Sequence, residues 1–284
     1  MKTKILPLLL LPITISLTGC QNEDFSHTIF TSISPVYDFV SRIVGDKYKV
    51  VNLTPAGIEP HDFELSAKQI VHIADSKATF INGVGLENWY DSLPKAAKNK
   101  TYMVSNDIAI KQTESQIDPH IWLSTINAIQ EMKNITSYMC DIDPVNSDYY
   151  QNNFSTNSTL FQKLDLEYKT EVATFTNKNI VVAHAAYGYL CNEYGLNQIS
   201  INGVEPDVEP SSKTIEEIIN KVKELHINTI FTEELISEKI ADQIAKECHV
   251  KVDVLDPIET IEDEEENYLS IMEDNLERLK EACK

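Results

Sequence analysis

The chain reads as an α/β protein of two doubly wound lobes joined by a long backbone helix. Three observations lead there. Short β-branched runs alternate with amphipathic helical stretches in both the early and the late parts of the sequence, the rhythm of parallel βαβ units. Between them lies a run from Val145 to Thr174 with neither Gly nor Pro. His61, His120 and His184, far apart in the chain, each follow a strand-like run, and open parallel sheets bind ligands beyond the carboxyl ends of their strands.

In order, Thr28–Ser32 is β-prone and a helix follows from Pro35 to Ile43. Tyr48–Leu53 is the next strand, leading into a loop that holds Gly57 to Asp62. Ser66 caps a helix that runs through Ala74. Ala78–Asn82 reads as a strand, Leu86–Leu93 as a short helix and Thr101–Val104 as a strand. A polar loop reaches Asp118-Pro119-His120, and Ile126, Ile129 and Met132 then give helical spacing over Thr125–Met139.

Asp143-Pro144 opens the central run, with Pro in a first turn where its missing N–H does no harm. A single helix over Val145–Thr174 would span ~45 Å at ~1.5 Å per residue. The alternative is two shorter helices joined over Asn152–Ser158, where Asn, Ser and Thr have poor helix propensity. The β/α rhythm then resumes with strands at Asn179–Ala183, Gln198–Ile201, Thr229–Thr232 and Val250–Leu255. Helices are expected at Lys213–Leu225, Glu238–Glu247 and Tyr268–Ala282. The implied division is a leader over 1–19, a lobe over 20–144, the linking helix over 145–174 and a second lobe over 175–284.

The leader sets the compartment. Lys2 and Lys4 precede an apolar stretch from Ile5 to Leu17, shorter than the ~20 residues of a spanning helix and suited to a secretory signal. It ends in Leu17-Thr18-Gly19-Cys20, which resembles a bacterial lipobox and implies acylation of Cys20. Acyl chains would hold the folded part at the outer face of the cell membrane. Loss of the leader leaves 22 basic groups against 44 acidic ones, a net charge of −22, which excludes nucleic acid as a partner. Cys140, Cys191, Cys248 and Cys283 form no CxxC, so a thiolate metal site is not expected; among possible disulfides, Cys248–Cys283 is favoured.

Three imidazoles and a carboxylate suit Zn2+, a borderline-soft ion. The segment Leu255-Asp256-Pro257-Ile258-Glu259 also follows a strand and offers that carboxylate. His27, His72, His226 and His249 read as surface or core residues, and Trp122, Tyr187 and Tyr189 as walls of a cleft. Asp62 and Asp118 could orient imidazoles or simply form turns beside Pro60 and Pro119.

The ordered set Glu59-Pro60-His61-Asp62, Asp118-Pro119-His120-Ile121-Trp122-Leu123, Ala183-His184-Ala185-Ala186-Tyr187-Gly188-Tyr189, Glu205 to Ser211 and Leu255-Asp256-Pro257 resembles the zinc/manganese solute-binding lipoproteins of bacterial ABC importers. The likeness runs over essentially the whole mature chain. It implies a rigid backbone helix, metal held in the cleft between the lobes, and a monomer that serves a membrane permease. His61 and His120 match the ligands of the first lobe and His184 that of the second, where a histidine favours Zn2+ over Mn2+. Glu259 matches a fourth ligand in one zinc-binding branch; Asp256, Glu59 or water are the alternatives. One departure is Lys111–Ile117, a short stretch without His where many zinc members carry a long His-rich loop. The competing function is a three-histidine zinc hydrolase, which would need an open position for water and a general base; no HExxH-type base accompanies these motifs.

Overall fold

The computed structural model describes residues 24–112, 116–206, 210–233, 238–261, 263 and 265–284. Cys20 and the leader lie outside these residues, as does part of the Glu205–Ser211 motif. No helix among the described residues is long and apolar enough to cross a membrane.

Two four-stranded parallel sheets carry the fold. The first holds β1 (Thr28–Thr31), β2 (Lys49–Asn52), β3 (Ala78–Ile81) and β4 (Thr101–Met103) in the order β2-β1-β3-β4. The second holds β5 (Asn179–Val182), β6 (Asn197–Ser200), β7 (Thr229–Thr232) and β8 (Lys251–Val254) in the order β6-β5-β7-β8. Each sheet reverses its winding at one point, between β1 and β3 and between β5 and β7, and such switch points are where doubly wound sheets bind ligands. Strands β1, β3 and β7 are buried throughout, as expected of parallel strands covered on both faces.

Helix α1 (Ser34–Val44) has Pro in its first turn and buries Val36, Phe39, Val40 and Ile43. Ser66 closes a capping box at the start of α2 (Ala67–Asp75): its hydroxyl accepts from Gln69 N while Gln69 Oε1 accepts from Ser66 N. Helix α4 (Thr125–Ile142) starts at Ser124, whose hydroxyl accepts from Asn127 N.

The central run is one helix, α5 (Ser147–Ala173), of 27 residues. Its Asn-Ser-Thr stretch stays helical because partners elsewhere reward it. Asn153 and Asn157 donate to the carbonyls of Ile43 and Arg42 at the end of α1, and Thr156 and Thr159 bond back to Asn152 O and Ser155 O. Tyr168 donates its hydroxyl to Met272 O in the terminal helix α9 (Tyr268–Cys283) at 2.6 Å. One hydrophobic core runs from Ile29, Phe39 and Phe80 through Phe161 and Tyr168 to Phe231, Leu255 and Tyr268, so both lobes share it.

Three expectations are corrected. Leu86–Leu93 forms no α-helix; a single 3-10 turn covers Tyr90–Ser92, followed by the four-residue α3 (Lys95–Lys98). Local side-chain bonds win there: Glu87 accepts from Asn82 N and Gly83 N, and Asn88 donates to His61 O. A short helix α6 (Gly188–Tyr194) stands where only a motif was read, and α7 (Ser212–Glu224) and α8 (Lys239–Cys248) follow it. The Cys248–Cys283 bridge is not formed, and Cys140, Cys191, Cys248 and Cys283 are free thiols. Cys283 is buried in the shared core, whereas Cys248 packs on the separate cluster under α7 and α8.

Candidate metal centre

Each converging side chain sits on a loop that leaves a strand. His61 follows β2 in the 3-10 turn Pro60–Asp62, whose preceding residue, Glu59, accepts from His61 N at 3.2 Å. His120 lies on the long connection after β4, and Asn82, just past β3 at the first switch point, donates to Pro119 O at 3.0 Å. His184 follows β5 by two residues, and Glu259 lies beyond β8.

Glu259 is aimed by a strained turn. Ile258, β-branched and fully buried, has φ +61°, a conformation that costs roughly 1–3 kcal/mol. Asp256 offsets it by accepting from Ile258 N at 2.6 Å, and Asn275 holds the backbone of Asp256 from both sides. Asp256, the alternative fourth donor, is therefore the brace of the turn, and Glu259 is the acid that reaches the imidazoles. Trp122 and Tyr187 secure the same strap, donating to Pro257 O at 2.7 Å and Leu255 O at 2.5 Å, so they wall the cleft as expected.

His61 Nε2, His120 Nε2, His184 Nε2 and Glu259 Oε1 point at one another. His120 Nε2 lies 3.2 Å from His61 Nε2, 3.3 Å from His184 Nε2 and 3.0 Å from Glu259 Oε1. Glu259 Oε1 lies 3.7 Å from His61 Nε2 and 3.5 Å from His184 Nε2. Tetrahedral zinc with bonds of ~2.0–2.1 Å needs donor atoms ~3.3–3.4 Å apart; these five separations bracket that value, and all four donor atoms lie within 4.8 Å of one another. His120 and His184 are wholly buried and Glu259 nearly so.

The far nitrogens are committed. His120 Nδ1 lies 2.9 Å from Asp118 Oδ1, and His184 Nδ1 lies 2.7 Å from Glu233 Oε1. A carboxylate on Nδ1 fixes the tautomer with its lone pair on Nε2, facing the cage. Asp118 thus takes the orienting role that competed with a turn-forming one. Glu233 was missed by sequence reasoning, although it stands directly after β7 and faces His184 across the second switch point. Its position at a strand end was the available signal; no motif marks it.

Electrostatics follow from this crowding. Burial lowers the His120 pKa, but hydrogen bonds to Asp118 and Glu259 outweigh it and the net shift is upward. His184 behaves alike, with Glu233 and Glu259 carrying it well above the usual imidazole value against burial. Burial would raise Glu259, yet its bonds to His120, His184 and His61 hold its carboxylate well below the usual range. Burial and the charge of Glu259 push Glu59 up to about 8. The other histidines lie elsewhere: His72 stacks on Phe25 at 4.0 Å, and His249 ends α8 in the left-handed conformation.

The profile of the zinc-uptake complex component A, periplasmic (ZnuA), matches residues 29–282. The chain belongs to this family. Among its relatives is the high-affinity zinc uptake system protein ZnuA of Bacillus subtilis, 34% identical over 276 residues that cover 89% of this chain and 86% of the relative. The zinc-binding lipoprotein AdcA of Streptococcus pneumoniae is 33% identical over 94% of this chain but 58% of its own length, so the present chain spans little more than half of that relative. The Zn(II)-bound ZnuA-like domain of that AdcA superposes with a TM-score of 0.80 at 34% identity, covering 91% of this chain and 99% of the domain. The laminin-binding protein Lmb of Streptococcus agalactiae, described as having adhesin and metal-transporting activity, gives a TM-score of 0.87 at 30% identity over 91% of this chain and all of its own. Family and fold thus agree with the two lobes and long helix described above.

Proposed function

We propose that this protein captures Zn2+ outside the cytoplasm and delivers it to the permease of an ABC importer. The observation that carries the reading is the convergence of four donor atoms at the seam, all within 4.8 Å of one another, two from each lobe. In this reading His61, His120 and His184 through Nε2 and Glu259 through Oε1 are the zinc ligands, while Asp118 and Glu233 orient the two buried imidazoles. The names of the relatives, a zinc uptake protein and a zinc-binding lipoprotein, support zinc as the cargo. Three imidazoles favour Zn2+ over Mn2+, which prefers a set richer in oxygen.

Glu259 fills the coordination position that a hydrolase would leave for water, so the protein is a carrier and not an enzyme. The lipobox ending in Cys20 would make it a lipoprotein tethered at the outer face of the cell membrane, and we expect it to act as a monomer. Lobes over 20–144 and 175–284, linked by 145–174, fit the two separate sheets and the helix between them. The test is titration of metal-free protein with Zn2+ and Mn2+. Tight one-to-one zinc binding with weaker manganese binding and no turnover of ester or peptide substrates is expected; zinc-dependent hydrolysis would overturn it.

A further inference from the structure

We propose that Lys111 and Tyr189 form an interlobe clasp that braces Asp118, and through it His120, so that these positioning residues set how long the closed protein keeps its cargo. The inference deepens the zinc-capture reading and rests on it. The loop before His120 closes on itself: Asp118 N donates to Lys111 O at 3.1 Å and Gln112 pairs with Ile117. This neck belongs to the first lobe, and it rests on α6 of the second.

Three hydrogen bonds cross the seam there. Lys111 N donates to the Tyr189 hydroxyl at 2.8 Å, that hydroxyl donates to Asp118 O at 3.0 Å, and Lys111 Nζ donates to Gly188 O at 2.8 Å. The hydroxyl of Tyr189 thus spends its one proton and accepts one. The Lys111 ammonium also lies 5.7 Å from the centre of the Tyr189 ring, within cation–π range. Tyr189 is 4% exposed, so the bond from its hydroxyl to Asp118 O is sheltered from water, while the two from Lys111 are partly buried.

Gly188 completes the contact. A Cβ on it would lie 2.6 Å from Asp118 Oδ2, closer than real atoms approach. That oxygen cannot swing away freely, because Oδ1 of the same carboxylate accepts from both His120 N at 3.0 Å and His120 Nδ1 at 2.9 Å. The absent side chain at Gly188 therefore lets the second lobe press directly on the group that orients His120. None of these bonds involves the ion. Separating the lobes would break all three and remove the wall behind Asp118.

The experiment uses the full chain loaded with Zn2+ and mixed rapidly with an excess of a chromophoric chelator. Tyr189→Phe keeps the ring and removes two of the bonds; at about fivefold per hydrogen bond, release should be about 5–25-fold faster. Gly188→Ala should also speed release, and the effect should vanish in a protein that already carries Asp118→Ala, since the methyl then has nothing to strike. A general loss of packing would instead add equally in both backgrounds. Release from Tyr189→Phe within twofold of the parent, or an equal Gly188→Ala effect with and without Asp118, overturns the clasp. A parent protein that binds no zinc sinks the capture reading as well, whereas a zinc-binding parent with unmoved variants sinks the clasp alone.

Discussion

Glu233→Ala is the most informative single change, because no motif predicts it and two of its effects oppose each other. The Glu233 carboxylate lies 2.7 Å from His184 Nδ1, with His184 wholly buried and Glu233 4% exposed. Removing it leaves a buried N–H without its acceptor, a cost of ~1–3 kcal/mol. Loss of such an outer partner lowers metal affinity ~10–100-fold, the same range in other terms. Glu233 also raises the proton affinity of His184, however, and a proton on Nε2 competes with zinc. The variant gives up that competition, and each unit of lowered pKa returns up to ~10-fold in affinity where the parent imidazole is protonated. The loss should therefore be largest at high pH, up to ~100-fold, and shrink as the pH falls. Chelator competition at several pH values measures it, with the circular dichroism of each variant as the control for folding. A ratio of dissociation constants that stays flat from pH 6 to 8, or stays under threefold throughout, refutes the assigned role.

Other outcomes follow from the same geometry. His184→Ala removes one of four donors, and with ~10–16 kcal/mol shared across a zinc site it should weaken binding ~100-fold or more; an unchanged titration would refute the ligand set. Glu259→Ala should weaken zinc far more than Asp256→Asn, which keeps an acceptor for Ile258 N; the reverse order in competition titrations would make Asp256 the donor. The raised imidazoles of His120 and His184 stabilise the metal-free protein fully below the unfolded value of ~6.5, and that stability is lost as pH rises through their folded values. The raised carboxyls of Glu59 and Glu233 act in the same direction, whereas Glu259, held low, contributes above ~4.3 and is lost on stronger acidification. Melting of the metal-free protein should thus peak near pH ~4.5 and decline toward pH 8, while the gain on adding zinc grows over that range. A gain independent of pH would exclude histidine ligation.

Much of the fold was legible because its strands are short, β-branched and separated by helices with regular apolar spacing. Ser66 announced one helix start, the spacing of Ile126, Ile129 and Met132 announced α4, and the lack of Gly and Pro after Pro144 announced α5. The choice between one helix and two lay beyond propensity, since Asn153 and Asn157 are rewarded by carbonyls of α1 that are distant in sequence. Leu86–Leu93 was misread for the same reason in reverse: Glu87 and Asn88 spend their side chains on remote or looped backbone. The histidines were legible as strand-end residues in quotable motifs. Glu233 obeyed the same rule but stood alone, and a carboxylate at a strand end is common. The choice of Glu259 over Asp256 depended on the left-handed turn at Ile258, which a β-branched residue does not advertise.

The division of labour between the lobes bears on how a tightly held ion could be released. At the back, the halves are fused: a single core crosses between them, Tyr268 donates to Trp122 O at 2.6 Å and Ile261 N donates to Ser34 Oγ at 3.0 Å. Large separation there would expose Phe39, Phe161 and Tyr268, each of whose burial is worth roughly 1.5–3 kcal/mol. At the site the ties are few and polar, chiefly the Lys111–Tyr189 contact and the bond from Trp122 to Pro257 O. Breaking a few hydrogen bonds, at ~1 kcal/mol net each, is within reach of a docking partner, whereas splitting the shared core is not. Release should then proceed by local loosening of the front loops that carry His120 and Glu259, with α5 and the core left intact. Hydrogen exchange on zinc-free and zinc-loaded protein would locate it: protection gained on binding should concentrate in residues 111–112, 116–123 and 255–261, and a comparable gain along α5 would point to whole-lobe hinging instead.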